Sequence, residues 1–244
     1  MTLATQTSLN VFSAVAIYAE IEELLPRFSL QSGIPAEVKY DVNPAVARRV
    51  MEGEAFDVGL TNPWYFDEMV SKGGILPDIH VPFGRVPLTL GSAGDPPQSP
   101  ATSLGSVRDL LVQADSVAYT STGTSGKTFL KALEIIGIHD AIRDRLRPMG
   151  PGEPTIAAAR GDVQYAISPL ARIIAAPGIH PVGIFPPELG LDIDISMFVH
   201  GHCDFDRASK LIAFFSDPEL DRYLREHGVY RFQLGKPNAA RSTW

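Results

Sequence analysis

The residues of this sequence best suited to chemistry are the hydroxyl and glycine residues of Ser121-Thr122-Gly123-Thr124-Ser125-Gly126, followed by Lys127. Ser116 to Thr120 before them reads as a strand. After them Phe129, Leu130, Leu133 and Ile136 keep one face of a 3.6-residue period, which predicts a helix opening at Lys127 and ending at Gly137. A strand passing through such a loop into a helix aims backbone N–H groups at whatever sits above it, and the helix dipole and hydroxyls favour an anion there. A phosphate-binding Walker loop fails on spacing, because it needs glycine where the chain has Ser121 before Gly126-Lys127-Thr128. An ordinary strand–helix turn is the alternative to a small-anion site; a nucleotide site is not.

Four further positions stand at strand ends or helix starts, where donors converge. Ser13-Ala14 follows the strand Leu9–Phe12, and Asn43-Pro44 opens a helix with Asn43 as the expected N-cap and Pro44 in the first turn. A helix starts near Thr155, and Ser168-Pro169 tips a strand over Val163–Ile167.

Other signals point elsewhere. His200 and His202 could share a strand face, but no third residue is spaced to complete a metal site, and no metal is expected. There is no Gly-x-Ser-x-Gly elbow of a serine hydrolase. Trp64-Tyr65-Phe66 reads as helix-face core, and Glu20, Glu22 and Glu23 as a solvated helix face.

The composition excludes several classes. A formal net charge of −7 over 244 residues argues against nucleic acid, which needs a basic face. No apolar run approaches the roughly 20 residues of a membrane span, so no membrane insertion is expected. Cys203 is the one cysteine, which precludes an internal disulfide and reads as a packing residue. Met1 to Ser8 has neither a basic nor an apolar leader region. The expectation is a cytoplasmic protein if that start is native, and a periplasmic one if this is a mature chain without its signal peptide.

The elements that must carry these residues alternate. Strand Leu9–Phe12 is followed by a helix with Ile17, Ile21, Leu24 and Phe28 on one face, which Pro26 should end or kink, with Gly33 closing the unit. Ala36–Tyr40 is a second strand, the Asn43 helix runs to Gly53, and Phe56–Leu60 is a third strand before a helix over Trp64–Val70. Such alternation implies mostly parallel sheets covered by helices. Val81–Leu90 is strand-like but interrupted by Pro82 and Pro87, so it reads as an edge or a crossing segment. Gly91–Gly105 reads as a loop, Ser106 as the cap of a helix over Val107–Val112, Ala141–Leu146 as a short helix and Pro148–Pro154 as a loop. Pro181–Phe185 is a further strand, Ile193–Val199 crosses back, two helices follow around Ala208–Phe215 and from Asp217-Pro218, and the tail from Gly235 reads as polar and mobile.

Over nearly its whole length the chain resembles the periplasmic molybdate-binding proteins and related solute-binding proteins. The resemblance is carried by Asn10-Val-Phe-Ser-Ala14, Ala47-Arg-Arg-Val-Met-Glu-Gly53 with Phe56-Asp-Val58, Gly123-Thr-Ser-Gly126 with Ile136-Gly-Ile138, Gly161-Asp-Val-Gln-Tyr-Ala-Ile167, and Ile195-Ser-Met-Phe-Val-His-Gly201 with Ala208–Gly228. It implies an α/β, two-lobe type II periplasmic-binding-protein fold with mixed, mostly parallel sheets flanked by helices. Lobe one would comprise about 1–84 and 196–244, and lobe two about 85–195. Two hinge crossings, near Gly84-Arg85 and Ile195-Ser196, would let the lobes close on a ligand. The family's pocket maps onto Ser13, Ala14, Asn43, Ser125, Gly126, the Thr155 region and Ser168. The serine cluster expected after the second strand is replaced by Asp41-Val42-Asn43. Arg85 and Lys127 lie near those positions and could neutralise carboxylates, which favours a small organic acid over molybdate or tungstate.

The expectation is therefore a binding protein for a small anion, without cofactor, with an ABC transporter or a sensor as possible partner. The resemblance includes relatives that isomerise or dehydrate small carboxylic acids, aconitate isomerase among them, so the alternative is a cytoplasmic isomerase or dehydratase of such an acid. On that alternative a base is required, and Lys127, Asp41 and His80 are the candidates, with no catalytic residue assigned.

Overall fold

The computed structural model describes residues 7–235, so the sequence expectation for the tail beyond Gly235 lies outside the described residues. In chain order the elements are β1 (Leu9–Ala14), α1 (Tyr18–Ser32), β2 (Ala36–Asp41), α2 (Asn43–Met51), β3 (Val58–Thr61), α3 (Phe66–Ser71) and β4 (Val81–Val86). There follow β5 (Leu88–Ser92), α4 (Leu104–Gln113), β6 (Val117–Thr120), α5 (Thr124–Ile136), α6 (His139–Ile142), β7 (Leu146–Met149), α7 (Glu153–Arg160), β8 (Tyr165–Pro169), α8 (Leu170–Ala175) and β9 (His180–Ile184). The chain closes with β10 (Ile193–Val199), α9 (Phe205–Phe215) and α10 (Asp221–Glu226).

Two compact units result. The first takes the chain through Arg85, then Asp194–Arg225 and the segment from Tyr230; the second takes Val86–Ile193 and Glu226–Val229.

The first unit holds the sheet β2-β1-β3-β10-β4. β1 runs parallel to β2 and β3, and β10 runs antiparallel to β3. Short strand–helix–strand units force the parallel pairings, and β10, arriving from the other unit, inserts in the opposite sense. Phe12, Val46, Val50, Phe56, Phe66, Met69 and Phe198 make the core beneath α2 and α3. Phe198 lies across Gly59, where a Cβ would sit 2.2 Å from the ring, so only glycine lets that ring in. α1 packs against α9, with Phe28 against Phe214 at 5.7 Å between ring centroids. Pro26 neither ends nor interrupts α1, which runs on to Gly33 in a left-handed cap. Burial of Ile21, Leu24, Leu25 and Phe28 on its inner face outweighs a backbone hydrogen bond lost on the outer one.

The second unit holds the sheet β7-β6-β8-β5-β9, with β6, β7 and β8 parallel and β5 antiparallel to both its neighbours. One face is covered by α4 and α5 through Val107, Leu111, Phe129 and Leu133, packed on Leu88, Leu90, Val117 and Phe185. The other packs Ala157, Ala158 and Ile173 against Ala118 and Ala166, small residues that let α7 and α8 lie close to the sheet.

Several local expectations are corrected. β7 occupies residues read as the end of a helix and the start of a loop; it pairs with β6, which supplies ladder bonds to a stretch whose Arg147 and Pro148 carry no strand signal. α4 begins at Leu104, capped by Ser103 accepting from the Ser106 N–H at 3.1 Å, not by Ser106 itself. α5 begins at Thr124 instead of Lys127, and α7 at Glu153. Pro87 divides Val81–Leu90 into β4 and β5, and β5 extends through Ser92. α8 was not anticipated; it follows β8 directly after Pro169.

Candidate functional site

In the first unit the carboxyl ends of β1, β2 and β3 fall at one edge of the sheet because the three strands are parallel. β10, being antiparallel, starts there. Ser13, Asn43, Thr61, Asn62, Asp194 and Ser196 are all buried at this edge. Polar side chains so buried are hydrogen-bonded, and the bonds define the site.

Asn43 corrects the expectation of an N-cap. Val42 occupies that position with extended backbone and gives no side-chain cap, so Asn43 is the first helical residue. Its side chain meets Thr61, whose Oγ lies 3.0 Å from Asn43 Oδ1 and 3.0 Å from the Asn43 carbonyl oxygen. Asn62 donates through Nδ2 to the Asp194 carbonyl at 2.7 Å. The Ser13 hydroxyl makes only a long contact, 3.4 Å, to the carbonyl of Ala14.

His80 stands beside this group with Nε2 2.9 Å from Ser196 Oγ, and its ring stacks on Phe66 with centroids 3.7 Å apart. Burial pushes its pKa down to about 4, against a smaller opposing pull from Asp67, so the imidazole is neutral at neutral pH. Arg85 forks onto Asp194, Nε to Oδ1 at 2.6 Å and a terminal nitrogen to Oδ2 at 3.0 Å. Asp41 lies at the end of β2, with one carboxylate oxygen accepting from the Val42 N–H at 2.9 Å.

In the second unit β6, β7 and β8 likewise end together, and α5, α7 and α8 start from those ends. The start of α5 has Gly123 at the N-cap position, which carries no side chain to cap it. Gly126 is pressed on β6, where a Cβ would lie 1.8 Å from the Thr120 carbonyl oxygen; this close approach brings the first turn of α5 onto the end of the strand. Ser125 is partly buried and Lys127 exposed. The start of α7 is engaged internally: Glu153 accepts from the Gly150 N–H at 2.6 Å, and the Thr155 hydroxyl donates to the Gly152 carbonyl at 3.0 Å. Ser168 is half-buried and sits opposite Thr89 in the β5–β8 ladder.

Thus Ser13, Ala14 and Asn43 share one edge of the first unit with Asp41, and Ser125, Gly126, Lys127, Thr155 and Ser168 share one end of the second. Sequence reasoning missed Thr61, Asn62, Asp194 and Ser196. Thr61-Asn62 was legible only as a strand end before Pro63, and nothing in the spacing joins it to residues more than a hundred positions away. His200 and His202 lie with ring centroids 5.6 Å apart, and His200 Nδ1 accepts from the His202 N–H. Among the described residues no group of three or more His, Cys, Asp or Glu side chains is arranged to hold a metal ion. Nor is any helix long and apolar enough to cross a membrane.

Two mixed α/β sheets, each presenting helix starts at the carboxyl ends of its parallel strands, define a type II periplasmic-binding-protein fold. The chain belongs to the bacterial extracellular solute-binding proteins, whose family model matches residues 9–230. It is 25% identical over 188 residues to an aconitate isomerase from Pseudomonas sp., an alignment covering 75% of this chain and 71% of that protein. Its fold matches the periplasmic molybdate-binding protein of Azotobacter vinelandii with a TM-score of 0.75 at 17% identity, over 93% of this chain and 100% of the other. The sulfate-binding protein SubI of Mycobacterium tuberculosis H37Rv superposes with a TM-score of 0.72 at 15% identity, over 97% and 89% of the two chains.

Proposed function

We propose that this protein binds a small organic acid, a di- or tricarboxylate of the size of aconitate, and that the anion-binding elements are the helix start of α2 with Ser13 in the first unit and the helix start of α5 with Ser125 in the second. One observation carries the reading: both helices begin at the carboxyl end of a parallel strand without a side-chain cap, at Val42 in one unit and Gly123 in the other. The first turn of α5 presents N–H donors and the positive end of the helix dipole to an anion; α2, where Pro44 has no N–H and the Ala45 N–H donates to the Val42 carbonyl at 2.8 Å, offers the Asn43 N–H and the dipole. The choice of a carboxylate over a tetrahedral oxyanion is supported by the kind and number of donors. Asn43 stands where a hydroxyl would serve a small oxyanion, and the Thr155 hydroxyl is bonded within its own turn. Lys127, exposed in the first turn of α5, adds a cation to these donors. The named activity of the Pseudomonas relative supports the same ligand class. Delivery to a membrane transporter or to a sensor would follow binding.

Isothermal calorimetry with citrate, cis- and trans-aconitate, molybdate, tungstate and sulfate tests the reading. Heat should appear only with the organic acids. Tight binding of molybdate or sulfate with none of the carboxylates overturns it.

A second reading, an isomerase of such an acid, is supported by the same relative and by the neutral imidazole of His80, a group able to accept a proton. Incubation with trans-aconitate in deuterium oxide separates the two. An enzyme would exchange deuterium into the methylene group and form the cis isomer, whereas a binding protein would return the acid unchanged.

A further inference from the structure

We infer that residues 226–229 form a hook that restrains movement of the two units about their other crossings. The inference does not rest on the ligand reading above; it concerns how the units are tied, whatever they bind.

The connectivity comes first. The chain passes from the first unit to the second between Arg85 and Val86 and returns between Ile193 and Asp194. It then makes a second excursion of only four residues, Glu226–Val229, before Tyr230 rejoins the first unit. The neck of this excursion is closed on the first unit. Arg231 donates through Nε to Asp221 Oδ1 at 2.8 Å, and its terminal nitrogens donate to the carbonyls of Phe83 at 2.8 Å and Asp217 at 3.1 Å. The start of α10 and the chain beyond the excursion are thereby held together. Tyr230 is laddered to Arg85 at the same place, and Leu220 and Leu224 are buried.

The tip is seated in the second unit. Gly228 turns the chain back after α10 with φ +80°. A helix stop needs that conformation and no more. Gly33, Gly53, Gly137 and Gly161 follow α1, α2, α5 and α7 in the same left-handed region, with no atom within 4 Å of the place a Cβ would take. Gly228 differs. A Cβ there would stand 2.7 Å from Leu170 Cγ and 3.0 Å from Ile174 Cδ1, both on α8. Leu170 is buried and its N–H donates to the Pro87 carbonyl at 2.8 Å, so α8 is itself fixed where the tip rests. Val229, the next residue, is fully buried.

An excursion this short, pinned at its neck and at its tip, has no length to spare. Rotation of one unit against the other must carry the tip along or pull it from α8, so the hook limits how far the units move apart.

Double electron–electron resonance on the whole chain tests this without any ligand. Spin labels are placed at Glu68→Cys in α3 and Lys131→Cys in α5, both exposed and on different units, in a Cys203→Ser background. Gly228→Val cannot keep both the left-handed turn and the seat on α8, and should broaden the distance distribution relative to the parent. Two glycines inserted between Glu226 and His227 leave neck and seat intact and add only slack, and should broaden it too. A glycine that merely stopped α10 would cost stability in urea when replaced and leave the width unchanged. Parental width in either folded variant overturns the inference. If Gly228→Val fails to fold, the insertion decides alone.

Discussion

Arg85 and Asp194 form a two-bond fork, Nε to Oδ1 at 2.6 Å and the second guanidinium nitrogen to Oδ2 at 3.0 Å. They are also the residues at which the chain leaves the first unit and returns to it. A backbone ladder adds to the tie: the Arg85 N–H donates to the Tyr230 carbonyl at 2.7 Å, and the Tyr230 N–H returns to the Arg85 carbonyl at 2.9 Å. Arg85 was expected from sequence to clamp a ligand carboxylate. In the structure it holds one of the protein's own.

The two partners should respond unequally to truncation. The Asp194 side chain is 6% exposed and the Arg85 side chain 38%. Arg85→Ala takes both bonds of the fork from a buried carboxylate and should cost about 2–4 kcal/mol, whereas Asp194→Ala leaves a guanidinium that water can reach and should cost less. Arg85→Lys should recover only part, since an ammonium cannot make both bonds of the fork. Urea unfolding of the three variants measures the order. If Arg85→Ala is as stable as the parent but no longer binds the acid, Arg85 serves the ligand after all.

Ser125 and Gly126 should separate chemistry from geometry at the start of α5. Ser125→Ala removes one hydroxyl and should weaken carboxylate binding by about 0.5–1.5 kcal/mol, with stability little changed; up to ~3 kcal/mol is expected if the hydroxyl meets a charged oxygen directly. Gly126→Ala drives a methyl group to within 1.8 Å of the Thr120 carbonyl oxygen unless the helix start moves. It should cost about 1–3 kcal/mol of stability and reduce binding as well. Paired calorimetry and urea unfolding give both numbers.

His80 makes stability depend on pH in a definite direction. Its folded pKa, about 4, lies below the ordinary imidazole value of 6.5, so the unfolded chain binds the proton more readily. Stability from this group is complete above pH ~6.5 and lost progressively as pH falls toward 4. Because the ring is only partly buried, the loss should be on the order of 1–2 kcal/mol rather than the full linkage value. His80→Gln should flatten this part of the profile between pH 7 and pH 4.5, leaving the contribution of His200, which burial also pushes down. An unchanged slope would falsify the assignment of His80 as a buried neutral imidazole.

Ligand should raise the melting temperature by mass action. At a hundredfold excess over Kd the gain is about 2.7 kcal/mol, which for a chain of this size corresponds to roughly 5–10 °C. Citrate or trans-aconitate should give that shift in the parent and a smaller one in Gly126→Ala. A shift with tungstate alone would contradict the carboxylate assignment.

Local pattern determined much of this protein. The period of Phe129 and Leu133, closed by Gly137 in the left-handed conformation, marks α5 within a few residues, and the alternation of strand and helix dictates the parallel pairing of β1 with β2 and β3 and of β6 with β7 and β8. Hydrophobic period and turn chemistry act over a few residues, so they are written in adjacent positions. Tertiary structure alone decided the rest. β7 exists because β6 offers it a ladder; Arg147 and Pro148 would not select a strand by themselves. Asn43 before proline reads as a helix cap, but Val42 takes that position and the Asn43 side chain meets the Thr61 hydroxyl, brought to it by β3. Arg85 looked available because its partner Asp194 is 109 residues away and was invisible to any spacing rule. A side chain's hydrogen-bonding role depends on which partner the folded chain brings within about 3 Å, and for long-range pairs that distance is set by packing, not by sequence separation.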